Sequence, residues 1–358
     1  MNIAILLPLK EKYTKIGGGA VSILVNTHLR KSKYKKTTRV YGSNIDRPLD
    51  SNVFCTLSSN KNFFSNSSYV KSFEKKILNK TDVIELHNRP RYFFHLKKKF
   101  PNKKFILFFH NNSLDLKGSQ TVTDRKYLYK ELDCLVFLSV WMKDQFFKDI
   151  KITNSKKIKI FYPGIEFDKK FPVKKNIILF VGKLNHAKGY DIYSNAVSKF
   201  LKTNRSWKGI CVGSEPRREI LKKKNILELG EIPNKEVLKL ISQSKITIAC
   251  SRWNEPLGRL PIESASRGSF PIVSNRGGLV ETLEESFSIL KKNNSNELLK
   301  KINFLVKNPK KLLSMQKKIF KNFNLSLKNT TKEIDYIRDG LFEKNIVIKK
   351  KSLKILHI

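Results

Sequence analysis

The sequence predicts an α/β fold with two doubly wound parallel sheets, one following the other along the chain. Short, almost continuously apolar runs alternate with longer stretches of mixed polarity, as expected for parallel strands buried between helices. These runs form two series, which Pro163–Gly164 separates. The length of 358 residues suits two domains of roughly 150 residues each. Two such series indicate two Rossmann-like domains.

We expect a first domain over residues 1–164 and a second over residues 165–326. The predicted strands of the first domain are Ile3–Leu7, Thr38–Tyr41, Val83–His87, Phe105–His110 and Cys134–Ser139. Those of the second are Asn176–Val181, Gly209–Gly213, Ile246–Ser251 and Phe270–Ser274. Residues 295–326 are predicted to be mostly helical. The last segment, 327–358, is predicted to be a helix over 327–345 that crosses back to the first domain, followed by a basic tail.

The sequence shows no targeting signal, and its cysteines form no metal-binding or redox motif. The apolar start, Met1–Leu9, is interpreted as a buried strand because it lacks a basic n-region and a small-residue cleavage site. No apolar run approaches the roughly 20 residues that span a bilayer. The cysteines are far apart, which excludes a zinc knuckle, and three lie in apolar runs typical of buried thiols in a reducing cytoplasm: Cys134, Cys211 and Cys250.

The chain carries a formal net charge of +42, from 72 basic and 30 acidic residues. Such a surplus attracts nucleic acid, anionic membranes or phosphorylated substrates. It also follows from a composition in which Lys and Asn crowd every loop and helix face, as in Lys222–Asn225, so both explanations stay open. Hydrophobic residues make up 40% of the chain and aromatic residues 11%, which excludes a disordered protein.

Open parallel sheets bind ligands beyond the carboxyl ends of their strands, so the residues after each predicted strand are the candidates. In the first half, Gly17–Gly19 follow the first strand and can bring backbone N–H groups close to an anion, although a flexible turn is the simpler alternative. His87 and His110 end two further strands. A histidine placed there either contacts a substrate or serves only the structure, and we favour a substrate contact for His110.

In the second half, a glycine turn after a strand carries Lys183 and Lys188 just before a predicted helix start near Gly189. Two ammonium groups beside a helix N-terminus suit an anion, whereas two solvated lysines are the alternative.

The richest stretch is Ser251–Gly268, which follows the next strand. A helix is predicted to begin near Gly258, which would leave three N–H groups free for an anion, those of Leu257, Gly258 and Arg259. Glu255 and Glu263 would repel a phosphate and are better suited to sugar hydroxyls. The alternative for Glu255 is a carboxylate that only caps the helix.

Taken in order, these residues resemble the retaining GT-B glycosyltransferases of family four, the group 1 type. The resemblance covers residues 1 to about 345 and is more specific in the second half. It rests on Gly17-Gly18, Gly182-Lys183 with Lys188-Gly189, Glu255-Pro256-x-Gly258 with Glu263, and Gly277-Gly278 with Glu281. The two glutamates reproduce the family's E-x7-E pattern. The stretch His87–Pro90 is similar to bacterial members that build lipopolysaccharide core and related surface glycans.

The resemblance implies two facing Rossmann-like domains around a cleft, and a UDP- or GDP-linked sugar donor with no cofactor. It implies catalytic roles for His110, Glu255 and Lys188. It implies donor contacts from Gly17, Gly18, Lys183, Lys188, Gly230, Glu255, Leu257, Gly258, Arg259 and Glu263. Lys183 stands where the family usually has Arg, so the charge is kept but the bidentate fork is lost.

The implied reaction is hexosyl transfer with retention, in which the leaving diphosphate develops negative charge. Lysines and free N–H groups stabilise that charge. The sequence has no D-x-D motif, which favours a metal-independent reaction with lysines in place of the cation. The implied acceptor is an anionic glycan or glycolipid, and the implied location is the cytoplasm, with peripheral attachment to the inner face of the membrane.

Three alternatives make different predictions. A sugar-nucleotide epimerase of the same fold would need no acceptor. A nucleic-acid-binding protein predicts an RRM, KH or helix-turn-helix signature, and the sequence shows none. A catalytically inactive relative would have lost some of the charged site residues, and all four are present: Glu255, Glu263, Lys183 and Lys188.

Overall fold

The computed structural model of the chain describes residues 1–15, 18–57, 65–215 and 224–342. The chain divides into two compact units. The first is formed by Met1–Gly164 and the segment that begins at Leu327, and the second by Ile165–Ser326.

The first unit is built on a seven-stranded parallel sheet. Its strands are β1 (Ile3–Leu6), β2 (Thr38–Ser43), β3 (Phe54–Leu57), β4 (Val83–His87), β5 (Lys104–Phe109), β6 (Cys134–Phe137) and β7 (Ile158–Ile160). The spatial order is β3-β2-β1-β4-β5-β6-β7, so the direction of winding reverses between β1 and β4. Its helices are α1 (Ala20–Leu29), α2 (Asn66–Lys76), α3 (Pro90–Lys99), α4 (Val122–Glu131) and α5 (Val140–Phe147).

The second unit contains a six-stranded parallel sheet. Its strands are β8 (Lys175–Val181), β9 (Lys208–Val212), β10 (Ile226–Glu228), β11 (Ser244–Ala249), β12 (Phe270–Ser274) and β13 (Ile289–Leu290). The spatial order is β10-β9-β8-β11-β12-β13, with the reversal between β8 and β11. Its helices are α6 (Tyr190–Leu201), α7 (Asn234–Gln243), α8 (Leu260–Ala265), α9 (Ser295–Lys307) and α10 (Pro309–Lys321).

Apolar side chains cover both faces of each sheet, as doubly wound folds require. In the second unit, α6, α9 and α10 bury one apolar layer, and α7 packs on the other. In the first unit the core is aromatic, with Phe109 stacked on Phe137 at 5.2 Å and Phe146 against both rings. The last helix, α11 (Leu327–Asp339), packs in the first unit, where Thr330 Oγ1 lies 3.1 Å from His28 Nε2.

The predicted class, an α/β fold with two doubly wound parallel sheets, is confirmed. All nine predicted strands are present, with ends that differ from the prediction by at most two residues. Four strands were not predicted, because they are short edge strands whose apolar residues are few or interrupted by polar ones: β3, β7, β10 and β13. The helix expected near Gly258 begins at Leu260, since Gly258 adopts a φ of +78° and precedes the helix.

The helix predicted over 327–345 is observed as α11, which ends at Asp339. The basic tail predicted after it lies outside the described residues, as does Gly17. No helix in the described part of the chain is long and apolar enough to cross a membrane.

Candidate functional site

The carboxyl ends of β8 and β11 lie side by side at the reversal of the second sheet, and this brings two predicted residues together. The turn after β8 ends at Gly189, whose φ is +71°. A Cβ atom there would lie 2.1 Å from the carbonyl oxygen of Cys250, so only glycine allows α6 to start this close to the end of β11. Lys188, just before this helix, therefore reaches the loop that carries Glu255.

The loop after β11 is held by the loops beside it. The Ser274 hydroxyl donates to the carbonyl oxygen of Ser251 at 2.7 Å, and the Asn293 amide donates to that of Cys250 at 3.0 Å. Gly278 N–H donates to the carbonyl oxygen of Glu255 at 2.8 Å. The backbone on both sides of Glu255 is thus fixed by neighbours in the fold, which positions its side chain in advance of any ligand.

The two oxygens of the Glu255 carboxylate have different surroundings. Oε1 accepts from Lys188 Nζ at 2.5 Å, from the Ser251 hydroxyl at 2.5 Å and from Trp253 Nε1 at 3.1 Å. Oε2 accepts no hydrogen bond from any described residue. Lys188 Nζ also lies 4.9 Å from the centre of the Trp253 ring, a cation–π distance. One oxygen is therefore saturated, and the other is left to accept a hydrogen bond from a ligand.

Lys188 and Glu255 line a pocket of about 180 Å³ in the second unit. Its other lining residues include Ser251, Gly258, Arg259 and Glu263. The N–H groups of Gly258 and Arg259 donate no hydrogen bond within the described part of the chain. The pocket thus offers an ammonium group and two backbone donors to an anion, beside a carboxylate oxygen that accepts from hydroxyls.

Glu263 is the second carboxylate of the pocket. Burial raises its pKa, although Arg259 and Arg267 act in the opposite direction. Arg259 Nη2 lies 3.2 Å from Glu263 Oε1 and is half-exposed, so the pair is weak. Buried and weakly paired, Glu263 can form a hydrogen bond with a hydroxyl without a large loss of existing contacts.

The remaining predicted residues of the second unit lie outside this pocket. Lys183 is exposed on the turn after β8, and Leu257 is buried. Gly230 follows β10 with a φ of +67°, and its carbonyl oxygen accepts from Gly213 N–H at 2.8 Å. No atom lies within 4 Å of a Cβ placed at Gly230, so the surface there is open.

In the first unit, His110 lies directly after β5 and interacts with the end of β4. His110 Nε2 lies 2.8 Å from His87 Nδ1, and His87 Nε2 lies 3.0 Å from Glu85 Oε1. Asn88, with a φ of +57°, turns its side-chain oxygen toward the N–H groups of His110 and Asn111, which donate to it at 3.2 Å. His110 is partly exposed, whereas His87 and Glu85 are fully buried.

The carboxylate of Glu85 is paired with α11. Arg338 Nε and Nη2 donate to Glu85 Oε2 at 3.1 and 2.9 Å. Burial alone would raise the pKa of Glu85, but Arg338 and the His87 ring lower it to about 2. Arg338 Nη1 also donates to Asp335 Oδ1 at 3.2 Å. The polar side chains behind His110 therefore form a buried, internally paired chain.

The glycines after β1 have steric roles. A Cβ at Gly18 would lie 2.1 Å from the carbonyl oxygen of Thr14. A Cβ at Gly19 would clash with the Glu11 carboxylate, which accepts from Ser22 N–H at 2.8 Å at the start of α1. The Glu11 carboxylate thus already accepts from the start of α1, beside the glycines whose N–H groups were expected to approach an anion.

Several residues of both sites were not predicted from the sequence. Ser251 and Trp253 belong to the loop that the sequence analysis singled out, but a serine and a tryptophan have too many uses to be assigned without the fold. Glu85 did carry a signal, because a carboxylate within an apolar strand requires a buried partner. Nothing in the sequence indicates that the partner is Arg338, 253 residues away.

The sequence model of the family "Glycosyl transferases group 1" matches residues 163–322. This segment belongs to the group 1 glycosyltransferase family. Spore coat protein SA of Bacillus subtilis (strain 168) is 25% identical over 238 residues, which are 57% of this chain and 62% of that protein. The chain thus spans less than two thirds of that relative's length.

Solved structures show the same architecture. Sucrose-phosphate synthase from Thermosynechococcus elongatus matches 96% of this chain and 99% of its own, with a TM-score of 0.75 and 15% identity. Anabaena HepE, solved in complex with UDP-glucose, matches 94% of this chain and 99% of its own, with a TM-score of 0.71 and 12% identity. At such identities the likeness shows the fold, which is the GT-B class. The pocket of Lys188 and Glu255 lies within the segment that the group 1 family model matches.

Proposed function

We propose that this protein transfers a sugar from a nucleotide-sugar donor to an acceptor, and that the second unit holds the donor. The observation that supports the proposal is that hydrogen-bond donors suited to an anion and a carboxylate suited to hydroxyl groups line the same pocket. Lys188, Gly258 and Arg259 line the same pocket as Glu255. Within the described part of the chain, the N–H groups of Gly258 and Arg259 donate no hydrogen bond and Glu255 Oε2 accepts none. A sugar diphosphate presents the complementary groups, with anionic phosphates next to hydroxyl donors.

In the proposed complex, Lys188 and the N–H groups of Gly258 and Arg259 contact the diphosphate. Breaking the anomeric C–O bond increases the negative charge on the leaving phosphate, so donors already directed at it lower the barrier. Lys188 is held in place by Glu255 and by the Trp253 ring, which reduces the reorganisation needed when the donor binds.

Glu255 Oε2 accepts from a hydroxyl of the transferred sugar, and Glu263 accepts from the ribose. His110 contacts the sugar near the reacting carbon. The transfer proceeds with retention and without a metal ion, and the lysines replace the cation. Lys183, exposed on the turn after β8, contributes a second ammonium group to the diphosphate. The Anabaena relative bound to UDP-glucose supports a UDP-sugar, and a GDP-sugar is the alternative.

The acceptor class we propose is an anionic glycan or glycolipid of the cell surface, such as lipopolysaccharide, and the group transferred is a hexose. The net charge of +42 suits such an acceptor and attachment to the inner face of the cytoplasmic membrane.

A thermal-shift screen against UDP-, GDP-, ADP- and CMP-sugars tests the donor assignment. A donor present at 100 times its Kd stabilises the folded state by about 2.7 kcal/mol. We expect one nucleotide class to raise the Tm of the wild-type protein and of Lys199→Ala, a control on the exposed face of α6. The same concentration of donor should stabilise Lys188→Ala by about 1.4 kcal/mol or less, as for an affinity that is tenfold lower or worse. A screen in which no sugar nucleotide raises the Tm would contradict the proposal.

Product analysis separates transfer from epimerisation. With donor alone, a glycosyltransferase leaves most of the donor intact, whereas an epimerase of this fold consumes it without any acceptor. Consumption of the donor at the same rate with and without acceptor would favour the epimerase.

A further inference from the structure

The buried polar chain behind His110 determines which nitrogen of that ring carries the proton. The chain runs from His110 through His87 and Glu85 to Arg338 on α11. Its inner members are almost inaccessible to solvent, with exposures of 0% for His87, 1% for Glu85 and 2% for Arg338. Water does not reach these groups, so it cannot supply a missing donor or acceptor. In each hydrogen bond of this row of side chains, one residue must therefore donate and its neighbour must accept.

At the buried end of this row of side chains, the protons between Arg338, Glu85 and His87 can be placed in only one way. A guanidinium has donors and no acceptor, and Arg338 directs two nitrogens at Glu85, so Glu85 is a carboxylate. A carboxylate only accepts, so the proton between Glu85 Oε1 and His87 lies on His87 Nε2.

The direction of the next hydrogen bond, between His87 and His110, is fixed if the His87 ring is neutral. Arg338 supplies the cation for Glu85, and the Asp335 carboxylate, which Arg338 also contacts, accepts further hydrogen bonds from Ser32 and the Lys33 N–H. The His87 ring stacks on Phe108 with centroids 4.8 Å apart, away from solvent, where an added charge on the ring would be costly. A neutral ring protonated at Nε2 has a lone pair on Nδ1, which accepts from His110 Nε2–H at 2.8 Å. The His110 ring then has its lone pair on Nδ1. That atom forms no hydrogen bond within the described part of the chain.

We propose that Glu85, His87 and Arg338 are positioning residues that hold His110 in the tautomer whose free nitrogen accepts a hydrogen bond from a sugar hydroxyl. The role of this nitrogen rests on the proposed function, in which His110 contacts the transferred sugar. An acceptor nitrogen draws the hydroxyl proton toward itself and leaves electron density on the sugar, where positive character develops. Burial and the neighbouring His87 lower the pKa of His110 well below its usual value, which agrees with a neutral ring.

Glu85→Gln reverses the chain without removing an atom from the core. Arg338 makes two contacts with Oε2, at 3.1 and 2.9 Å, and one longer contact with Oε1, at 3.2 Å. The carbonyl oxygen of the new amide therefore takes the place of Oε2, and the NH₂ group takes the place of Oε1, where it gives up the longer Arg338 contact and faces His87 Nε2. His87 then accepts at Nε2 and carries its proton on Nδ1. His110 in turn accepts at Nε2 and carries its proton on Nδ1, which becomes a donor. The same logic explains why an amide in place of a triad aspartate imposes the wrong histidine tautomer in serine proteases.

The test is ¹⁵N NMR of histidine-labelled protein, which distinguishes protonated from unprotonated ring nitrogens. The chain has six histidines, so assignment by single substitutions is practical. In the wild type we expect a proton on Nε2 and none on Nδ1 of His110, and in Glu85→Gln the reverse. A proton on Nδ1 of His110 in the wild type near neutral pH would overturn the proposal, and this result needs no variant to fold.

Glu74→Gln is a matched control, because Glu74 pairs with the exposed His95 in the same unit at 2.6 Å. It should leave the His110 signals and the kcat unchanged. For Glu85→Gln we expect kcat to fall roughly 10- to 100-fold, with a smaller change in the donor KM, as for a hydrogen bond replaced by a mismatched pair. An unchanged kcat despite the reversed tautomer would refute the role proposed for the acceptor nitrogen. The spectra do not depend on turnover, so failure of the proposed function would leave the tautomer assignment intact.

Discussion

The two candidate sites hold their charges in different ways. In the first unit, Glu85 and Arg338 are buried and paired with each other, and only the His110 ring reaches the surface. In the second unit, Lys188 is partly exposed, and its partner Glu255 keeps one oxygen free. The buried pair of Glu85 and Arg338 can hold a neighbouring side chain in one orientation, but its charges are not available to a ligand. The pair of Lys188 and Glu255 can form hydrogen bonds with a ligand without first breaking many contacts. The second unit therefore offers groups that a ligand can contact directly, whereas the buried charges of the first unit are already paired with each other.

Arg338→Met should produce the largest effect, on stability. It leaves the buried Glu85 carboxylate without its cation, which costs about 3–5 kcal/mol. The matched change in the second unit is Arg252→Met, which breaks the Arg252–Asp191 pair at 2.7 Å, with side chains 30% and 25% exposed. That loss should be about 1 kcal/mol or less. Urea denaturation measures both, and equal losses would remove the distinction between the two units.

Lys188→Ala should produce the next largest effect, on turnover. Removing one preorganised donor to a developing anion lowers kcat about 10²- to 10³-fold. Its effect on the free energy of unfolding should be about 1–3 kcal/mol, less than for Arg338→Met, because the Lys188 side chain is 29% exposed and Glu255 keeps its hydrogen bonds from Ser251 and Trp253. Steady-state kinetics with the donor found in the thermal-shift screen measures this effect, with Lys199→Ala as the control. Wild-type kcat in Lys188→Ala would show that the diphosphate binds elsewhere.

Glu255→Ala separates contacts to the sugar from contacts to the phosphates. A lost hydrogen bond between a carboxylate and a hydroxyl weakens binding of the nucleotide sugar by roughly 1.5–3 kcal/mol. Affinity for the nucleoside diphosphate alone should stay the same or increase, since Lys188 loses a competing anion. Calorimetric titration with the two ligands measures both, and a parallel loss for both would contradict the assigned role of Glu255.

The smallest expected effect is the pH dependence contributed by Glu263. Because burial raises its pKa in the folded state, the folded protein binds this proton more tightly than the unfolded chain does. The stability contributed by this group therefore falls as pH rises above the ordinary value of 4.5 and through the folded pKa. Glu263→Gln should remove this fall, so its stability relative to the wild type should increase over that range. Glu85 behaves in the opposite way, because its stabilisation is lost only as pH falls toward about 2.

The central strands and the proximity of two charged loop residues could be predicted from the sequence. Strands buried on both faces contain continuous apolar runs, such as Phe105–Phe109 in β5 and Ile177–Val181 in β8. The edge strand β7 has no fully buried residue and a lysine at its centre, so it carries no such signal. That Lys188 and Glu255 lie close together could be expected, because both follow strands whose carboxyl ends meet at one edge of the sheet. The tautomer of His110 could not be expected, since it depends on a pairing with α11 that is set by tertiary structure.

The most direct test of the account is calorimetric titration of the nucleoside diphosphate from the preferred donor into the wild type, Lys188→Ala and Lys199→Ala. The account predicts an affinity loss of roughly tenfold or more for Lys188→Ala, as for a charged hydrogen bond, with Lys199→Ala unchanged. Equal affinities for all three proteins would show that the pocket of Lys188 and Glu255 does not hold the diphosphate.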